Sequence, residues 1–293
     1  MAVAEPYVTP EVTRRFGRVR ELRTMTGRAG IVDLLAIGAF LLLILAAVAA
    51  PLLAPHSPVV PAGVPFLSPG RHGFLFGTDE VGQDIFSRVL YGLRSSLEAA
   101  GGVIASGVII GGLIGLAAGA TGGWLDDLLM RITDIFLALP GPVLAIAVVA
   151  ALGPSFLHTL IGVSIVWWPF YARIVRAEVR SLASRPHLEA ARLAGIGPVR
   201  RARRHLLPGA VPAVLVTASL DVGNLIVTLA SLSFLGLGAP APAPELGAMA
   251  ARGLQYLLQE WWVPVMPALG VFVVALLANL AGDGIRDLLG DDR

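Results

Sequence analysis

The sequence predicts an all-α integral membrane protein with a bundle of six transmembrane helices, and two observations support this fold class. Hydrophobic residues make up 56% of the 293 residues and charged residues only 14%, with a mean hydropathy of +0.77. Soluble domains carry about 25% charged residues, so this composition is typical of a membrane protein. In addition, uncharged runs recur along the chain, and each can cross a hydrocarbon core of about 30 Å as a helix.

The predicted spans follow from these runs and from the turn residues between them. Runs 34–54 and 99–124 are each long enough for one span. A stretch of 38 residues from Ile135 has one ionisable side chain, is too long for one helix, and is divided at Gly153 and Pro154. The chain therefore divides into a cytoplasmic N-terminal arm, 1–30, and a transmembrane domain, 31–293. The predicted spans are 31–54, 94–121, 129–152, 156–177, 208–237 and 261–283.

The positions of the arginines predict the orientation, because the cytoplasmic flanks of membrane spans are enriched in positive charge. The sequence has no lysine and 22 arginines. Eighteen of them fall on the inner side if the N-terminus is cytoplasmic, and nine of these lie between Arg173 and Arg204. We therefore expect both termini to be cytoplasmic. Contact of arginines with the lipid bilayer explains the pI of about 9.5 without a nucleic-acid partner.

The composition also excludes several classes of function. The absence of cysteine excludes disulfides, cysteine-ligated zinc and thiol catalysis. The absence of lysine excludes the usual nucleotide-binding loop, Gly-x-x-x-x-Gly-Lys. Neither Gly-x-Ser-x-Gly nor His-Glu-x-x-His occurs. We therefore expect no catalytic residue, no metal and no cofactor on this chain, and expect its energy to come from another chain.

A loop between the fourth and fifth spans carries the most informative motif. Residues 189–195 are Glu-Ala-Ala-Arg-Leu-Ala-Gly. Ser184 can cap a helix, Pro186 suits its first turn, and Gly195 can end it in the left-handed conformation, which predicts a helix of about ten residues. The candidate coupling residues of this loop are Glu189, Ala190, Ala191, Gly195, His205, Leu207 and Pro208.

Two interpretations of this loop remain open. The small side chains of Ala190 and Ala191 give a surface of low relief that another protein can approach closely, and Glu189 offers it one charge. Alternatively, the loop contains an ordinary amphipathic helix that lies at the lipid headgroups.

A segment between the first two spans carries a second motif, Phe-Gly-Thr-Asp-Glu-Val-Gly-Gln-Asp-Ile-Phe-Ser-Arg at residues 76–88. Its residue types predict a polar cap over the outer end of the bundle, with Thr78 or Asp79 as the N-cap of a helix. The candidate residues of this outer motif are Gly77, Thr78, Asp79, Gly82, Asp84, Ser87 and Arg88.

Polar residues within the predicted spans are candidates for a translocation path, because such residues usually face a bundle interior or a water-filled cavity. Asp221 and Asn224 lie three residues apart and so on one face of the fifth span. The alternative is that they form hydrogen bonds between helices. Glu98, near the outer end of the second span, and Asn279 in the sixth are weaker candidates for the same path.

The motifs together resemble one family of transporters. Glu189-Ala190-Ala191, with Gly195 and the later Leu207-Pro208, is similar to the cytoplasmic EAA motif of ABC importer permeases. The outer motif resembles the start of the permease domain in the dipeptide, oligopeptide and nickel branch of these importers. Further signatures of this branch are similar to residues 232–238 and 279–287, so the resemblance covers about 74–289. The chain departs from the branch at Gln83, commonly arginine, and at Leu246, usually tryptophan.

The resemblance implies a type I ABC importer permease, a subunit that moves peptides or a related small solute such as a nickel chelate or an opine. It implies a prokaryotic plasma membrane, a second homologous permease chain, cytoplasmic ABC ATPases that bind ATP and Mg, and an extracytoplasmic solute-binding protein. A secondary transporter driven by an ion gradient is the first alternative, but it normally shows inverted repeats or several deep charges. A membrane-embedded enzyme is the second, and it requires a paired nucleophile and base.

Overall fold

The computed structural model describes residues 11–153 and 155–290 and gives this part of the chain as helices joined by turns and loops. The helices are α1 (Glu11–Val48), α2 (Ala50–Leu53), α3 (Ile85–Thr121), α4 (Gly123–Leu137), α5 (Gly141–Leu152), α6 (Phe156–Ala183), α7 (Pro186–Leu193), α8 (Pro198–Arg201), α9 (Leu207–Leu232), α10 (Leu246–Gly253) and α11 (Trp262–Gly290). A π-helical turn, Ala202–Leu206, joins α8 to α9, and a second one, Ser233–Leu237, follows α9.

The long helices agree with the predicted class. Within the described residues, four helical segments are long and apolar enough to cross a membrane, and the bent pair α4 and α5 makes a fifth if the two helices form one span. Helix α6 has 28 residues and is also long enough, although its tryptophans and arginines lower its hydropathy. The first ten residues of the predicted arm lie outside the described residues, whereas residues 11–29 belong to α1.

Several spans differ from their predicted bounds. Helix α3 begins at Ile85, nine residues before the predicted start at 94, because the Asp84 carboxylate caps it by accepting the backbone N–H groups of Phe86 and Ser87. The predicted third span, 129–152, is not one helix. Its two halves, α4 and α5, meet at 83°, since Pro140 lacks an N–H and disfavours a helical residue before it.

The remaining spans differ mainly at their ends. The predicted first span, 31–54, is the end of α1 plus α2, which carries Pro51 in its first turn. In the predicted fifth span, 208–237, α9 ends at Leu232 and the last five residues form a π-helical turn. Helix α11 continues to Gly290, past the predicted end at 283.

Helices α3 and α6 form the most extensive helix pair in the described part of the chain. A stripe of glycines on α3 faces α6, and these glycines are Gly107, Gly111, Gly115 and Gly119. Gly107 lies against Tyr171 and Gly119 against Val179, so the two helices run parallel and end on the same side of the bundle. A Cβ atom at Gly111 would lie 2.8 Å from the Ala172 backbone nitrogen. Small residues thus allow the two backbones to approach closely.

Among the described residues, buried side chains form two apolar clusters. The larger one fills the centre of the bundle with residues from α3, α9, α10 and α11 and from the helices around them. The smaller one lies where α6 and α9 meet α7, and we name it the α7 cluster. Its buried members are Val175, Val179, Leu182, Leu188, Leu206 and Ala210. The α7 cluster fixes the short helix that carries the first motif to two long helices.

Candidate coupling surface and translocation path

Helix α7 has one anchored face and one free face. The Leu188 side chain is only 2% exposed and belongs to the α7 cluster. Glu189 and Ala190 are exposed and Ala191 is half-buried. The helix therefore holds its position through Leu188 while it presents one carboxylate and a small alanine side chain away from the bundle.

The two ends of α7 confirm two predicted signals and correct a third. Gly195 has φ +78°, and the Ile196 N–H donates to the Ala191 carbonyl at 3.1 Å, the closure of a left-handed helix end. Pro186 is the first helical residue, as predicted. Ser184 instead ends α6, where its hydroxyl donates to the Ser181 carbonyl, and Arg185 is the residue before α7, with a carbonyl that accepts the Leu188 N–H. The helix has eight residues instead of about ten.

The distal part of the motif leads into α9. His205 is half-buried in the π-helical turn, and the next side chain, Leu206, is buried in the α7 cluster. Leu207 and Pro208 are exposed at the start of α9, and the helix continues into them from the π-helical turn, since the Leu207 N–H donates to the Ala202 carbonyl. The motif thus surrounds the α7 cluster from both sides.

A basic depression lies next to α7. It has a volume of about 560 Å³ and is lined by Val199, Arg200, Arg203 and Arg204, all of them exposed. Three guanidinium groups at one depression favour a negatively charged neighbour, either acidic protein side chains or anionic lipid headgroups.

The two predicted caps of the outer motif, Thr78 and Asp79, bind backbone groups of a loop and do not cap a helix. The Thr78 hydroxyl donates to the Val64 carbonyl at 2.7 Å and accepts the Leu67 N–H at 2.8 Å. The Asp79 carboxylate accepts the N–H groups of Val81 and Gln83. Neither residue caps α3, so the predicted cap is displaced to Asp84, whose carboxylate also accepts the Ser87 hydroxyl at 2.6 Å.

Arg88 connects this motif to two outer loops. Its guanidinium is 3% exposed and donates to the carbonyls of Pro58, at 2.7 Å, and Pro242, at 3.3 Å. It also donates to the side-chain oxygen of Gln83, whose nitrogen donates to the Val59 carbonyl. Gln83 stands where the resembled branch commonly has arginine, and both polar groups of its side chain have a hydrogen-bond partner in this chain.

Charge and backbone shape complete the outer motif. Burial raises the pKa of the Asp79 carboxyl, against the opposing effects of the Gln83 N–H and the Arg88 charge, whose Nε lies 3.6 Å from the carboxylate. Gly82 has φ +81° and lies against the Gly63 carbonyl, so a side chain there would be strained and would overlap the loop. A Cβ at Gly77 would lie 2.9 Å from the Trp262 indole nitrogen. These contacts make the outer motif a closely packed structural element.

The structure separates the two main path candidates. The Asp221 carboxylate is 7% exposed and accepts hydrogen bonds from the Trp167 indole N–H at 2.8 Å and the Tyr171 hydroxyl at 3.0 Å, both on α6. Asn224 is exposed on the surface of the described chain. Asp221 thus forms hydrogen bonds between two helices, as the alternative to a translocation path requires. Asn224 remains available to water, lipid or another chain.

The two weaker candidates lie elsewhere. Asn279 is half-buried on α11, and its amide fills the space beside Gly223 on α9. Glu98 is exposed at the outer side, pairs with Arg94 at 2.8 Å, and lines a depression of about 300 Å³ with Tyr91. The four candidate path residues therefore do not form one cluster within this chain.

One charged cluster was missed by the sequence analysis. Asp126, in the predicted connection between the second and third spans, is fully buried and pairs with Arg176 and Arg180 of α6. The arginines were used only to predict orientation. The available signal was an isolated pair of acidic residues on the arginine-rich inner side. The sequence does not tell which arginine each acidic residue contacts.

Comparison with known proteins places the chain among transport proteins. A family model described as "Binding-protein-dependent transport system inner membrane component" matches residues 111–292. The chain is 40% identical over 255 residues to a di/tripeptide transport system permease protein of Pseudomonas aeruginosa, with 85% of this chain and 84% of that protein covered. It is 43% identical over 213 residues to a glutathione transport system permease protein of Pectobacterium atrosepticum, with 73% and 71% covered.

Solved structures show the same fold. A chain of an inward-facing MetNI methionine ABC transporter matches with a TM-score of 0.55 and 22% identity, over 70% of this chain and 97% of that chain. A chain of an amino acid ABC transporter matches with a TM-score of 0.54 and 18% identity, over 71% and 94%. These similarities concern the arrangement of helices.

Proposed function

This chain belongs to the family of binding-protein-dependent transport system inner membrane components, and we propose that it imports peptides by coupling the α7 surface to a cytoplasmic ATPase. It is a permease subunit of an ABC importer. Its relatives are named for di/tripeptide and glutathione transport, so the substrate class proposed here is short peptides. A nickel chelate or an opine would be a related small solute.

The observation that carries this proposal is the form of α7. An eight-residue helix is anchored by one buried leucine, Leu188, and ends at a left-handed Gly195. Its exposed face carries Glu189 and Ala190. A partner surface can approach such a face closely. A displacement of α7 by this partner would be transmitted through the α7 cluster to α6 and α9.

The remaining partners follow from the same family membership. A second, homologous permease chain would complete the path, and exposed groups such as Asn224 would face it or the substrate. Two ATPase chains would bind ATP and Mg on the cytoplasmic side. A solute-binding protein would deliver the peptide at the outer face, where the outer motif holds the loop around Arg88 in place. The membrane is a prokaryotic plasma membrane with both termini inside.

Reconstitution tests this function. Proteoliposomes with this chain, its permease partner and the ATPases should take up a labelled dipeptide when the loaded binding protein is outside and ATP is inside. A non-hydrolysable ATP analogue is the matched control and should give no uptake. Uptake that requires an ion gradient and continues without ATP would instead support the secondary transporter.

Cysteine labelling tests the orientation. The chain is naturally free of cysteine, so Val60→Cys and Gly197→Cys each introduce a single thiol. Val60 is 55% exposed, and a Cβ at Gly197 meets nothing within 4 Å. In intact cells an impermeant maleimide should label the Val60→Cys variant and spare the Gly197→Cys variant. The opposite pattern would reverse the orientation.

A further inference from the structure

The fully buried Asp126 carboxylate is held by two arginines of another helix. Arg176 donates two hydrogen bonds to this carboxylate, one from Nε to Oδ1 and one from Nη2 to Oδ2 at 2.8 Å. Arg180 donates to the same Oδ2. Two-point binding of arginine to a carboxylate is among the strongest and most directional of hydrogen-bonded pairs. Helices α4 and α6 are therefore tied together at this point.

The tie lies beside the α7 cluster. Arg180 is three residues from the end of α6, and α7 begins at Pro186. Val179 and Leu182, on the same last turns of α6, pack in the α7 cluster with Leu188. The end of α6 thus contacts α7 through apolar side chains and α4 through the Asp126 carboxylate.

Beyond the tie, α4 leads to a sharp bend. It meets α5 at 83° across residues 138–140, and α5 packs back along α6. A rigid connection between α7 and the start of α4 would carry a displacement of α7 to this bend. A loose connection would let α6 and α4 slide past each other.

We infer that Asp126 is a positioning residue that makes α4, α6 and α7 move as one body, so that movement of the docked ATPase reaches the bent pair α4 and α5. This inference rests on the proposed function, because it assumes that α7 is the surface on which the ATPase acts. It adds a specific route from that surface into the membrane-spanning part of the chain.

A second ion pair between the same helices supplies matched controls. Arg173 of α6 pairs with Asp134 of α4 at 2.5 Å, but both side chains are more than half exposed, at 54% and 57%. This pair lies at the surface of the described chain, whereas the Asp126 carboxylate is fully buried, so the contact at Asp126 does not depend on it. The variants Asp134→Asn and Arg173→Gln therefore make the same chemical changes on the same two helices without touching the buried carboxylate.

The first experiment compares these pairs of variants in the reconstituted complex. Asp126→Asn and Arg176→Gln should lower the stimulation of ATP hydrolysis by loaded binding protein about tenfold or more, while basal hydrolysis and co-purification of the ATPase stay unchanged. Asp134→Asn and Arg173→Gln should behave as wild type. Equal stimulation in all four variants would overturn the inference, as would an equal loss in all four.

A distance measurement keeps the inference testable even if Asp126→Asn fails to assemble. Spin labels on the exposed positions of Asp127→Cys in α4 and Arg185→Cys before α7 report on the two helices. With Asp126 intact, their separation should be the same in the nucleotide-free and ATP-bound complex, and the doubly labelled complex should still take up peptide. Adding Asp126→Asn, or Arg180→Gln in its place, should make the separation depend on ATP.

The outcomes separate this inference from the proposed function. An ATP-dependent change of this distance with Asp126 intact would show that α4 and α7 move independently and would overturn the inference alone. No change in either variant would also overturn it, since the tie would then position nothing. Absence of ATP-driven uptake in the unmodified complex would instead refute the proposed function.

Discussion

Replacing Ala190 with tryptophan should abolish ATP-dependent uptake while the chain still inserts and assembles with its permease partner. Ala190 is exposed on α7, so the larger side chain disturbs no packing within this chain. It does add volume to the proposed contact with the ATPase, and overpacking a contact typically costs about 1–3 kcal/mol. The same contact must also transmit movement. Uptake and stimulated ATP hydrolysis in proteoliposomes measure the result.

The matched control for this variant is Ala190→Ser, which leaves the volume nearly unchanged and should preserve uptake. Glu189→Lys, on the same exposed face, should weaken co-purification of the ATPase by reversing the charge that α7 offers. If Ala190→Trp and Glu189→Lys both retain wild-type stimulation and uptake, α7 is not the coupling surface. The amphipathic alternative, a helix at the lipid headgroups, would then describe it better.

The sequence predicted the two ends of α7 well because their signals are local. Pro186 and Gly195 act through their own backbone preferences, and both occupy the positions expected at the start and the end of α7. The predicted cap is displaced because Ser184 ends the preceding helix, where its hydroxyl donates to the Ser181 carbonyl, and Arg185 follows it before α7 begins. A serine hydroxyl can satisfy either role, and sequence alone does not rank them.

The outer motif shows the same limit at its two predicted caps, Thr78 and Asp79. Thr78, Asp79 and Asp84 all have side chains that can cap a helix. Thr78 is instead used by the backbone of residues 64–67, and Asp79 by its own turn, which leaves Asp84 to begin α3. The choice depends on contacts across the loop, which residue types do not specify.

The sequence did not predict which residues far apart in the chain would pair with each other. Asp126 and Arg176 are 50 residues apart, and the arginine-rich inner side offered many possible partners. Asp221 and Asn224 share a helix face by spacing, yet α6 covers only Asp221. A spacing of three rotates a side chain enough to move it past the edge of a neighbouring helix.

The glycine stripe between α3 and α6 gives the second large expected effect. Gly111→Leu should prevent stable folding, because even a Cβ there would overlap the Trp168 carbonyl and lie 2.8 Å from the Ala172 nitrogen. These neighbours are backbone atoms and cannot rotate away. We expect the free energy of unfolding to fall by about 3 kcal/mol, the upper end for overpacking, with little chain recovered in the membrane.

The next residue along the helix provides the control for this prediction. Gly112 is also a glycine in the middle of α3, but a Cβ there meets nothing within 4 Å. Gly112→Leu adds the same side chain at a half-buried position with open space beside it, and leucine forms helices better than glycine. It should therefore insert and unfold in detergent like the wild type or at a higher temperature. Equal destabilisation by the two variants would mean that the lipid or partner surface of α3, and not its packing on α6, limits the size of these side chains.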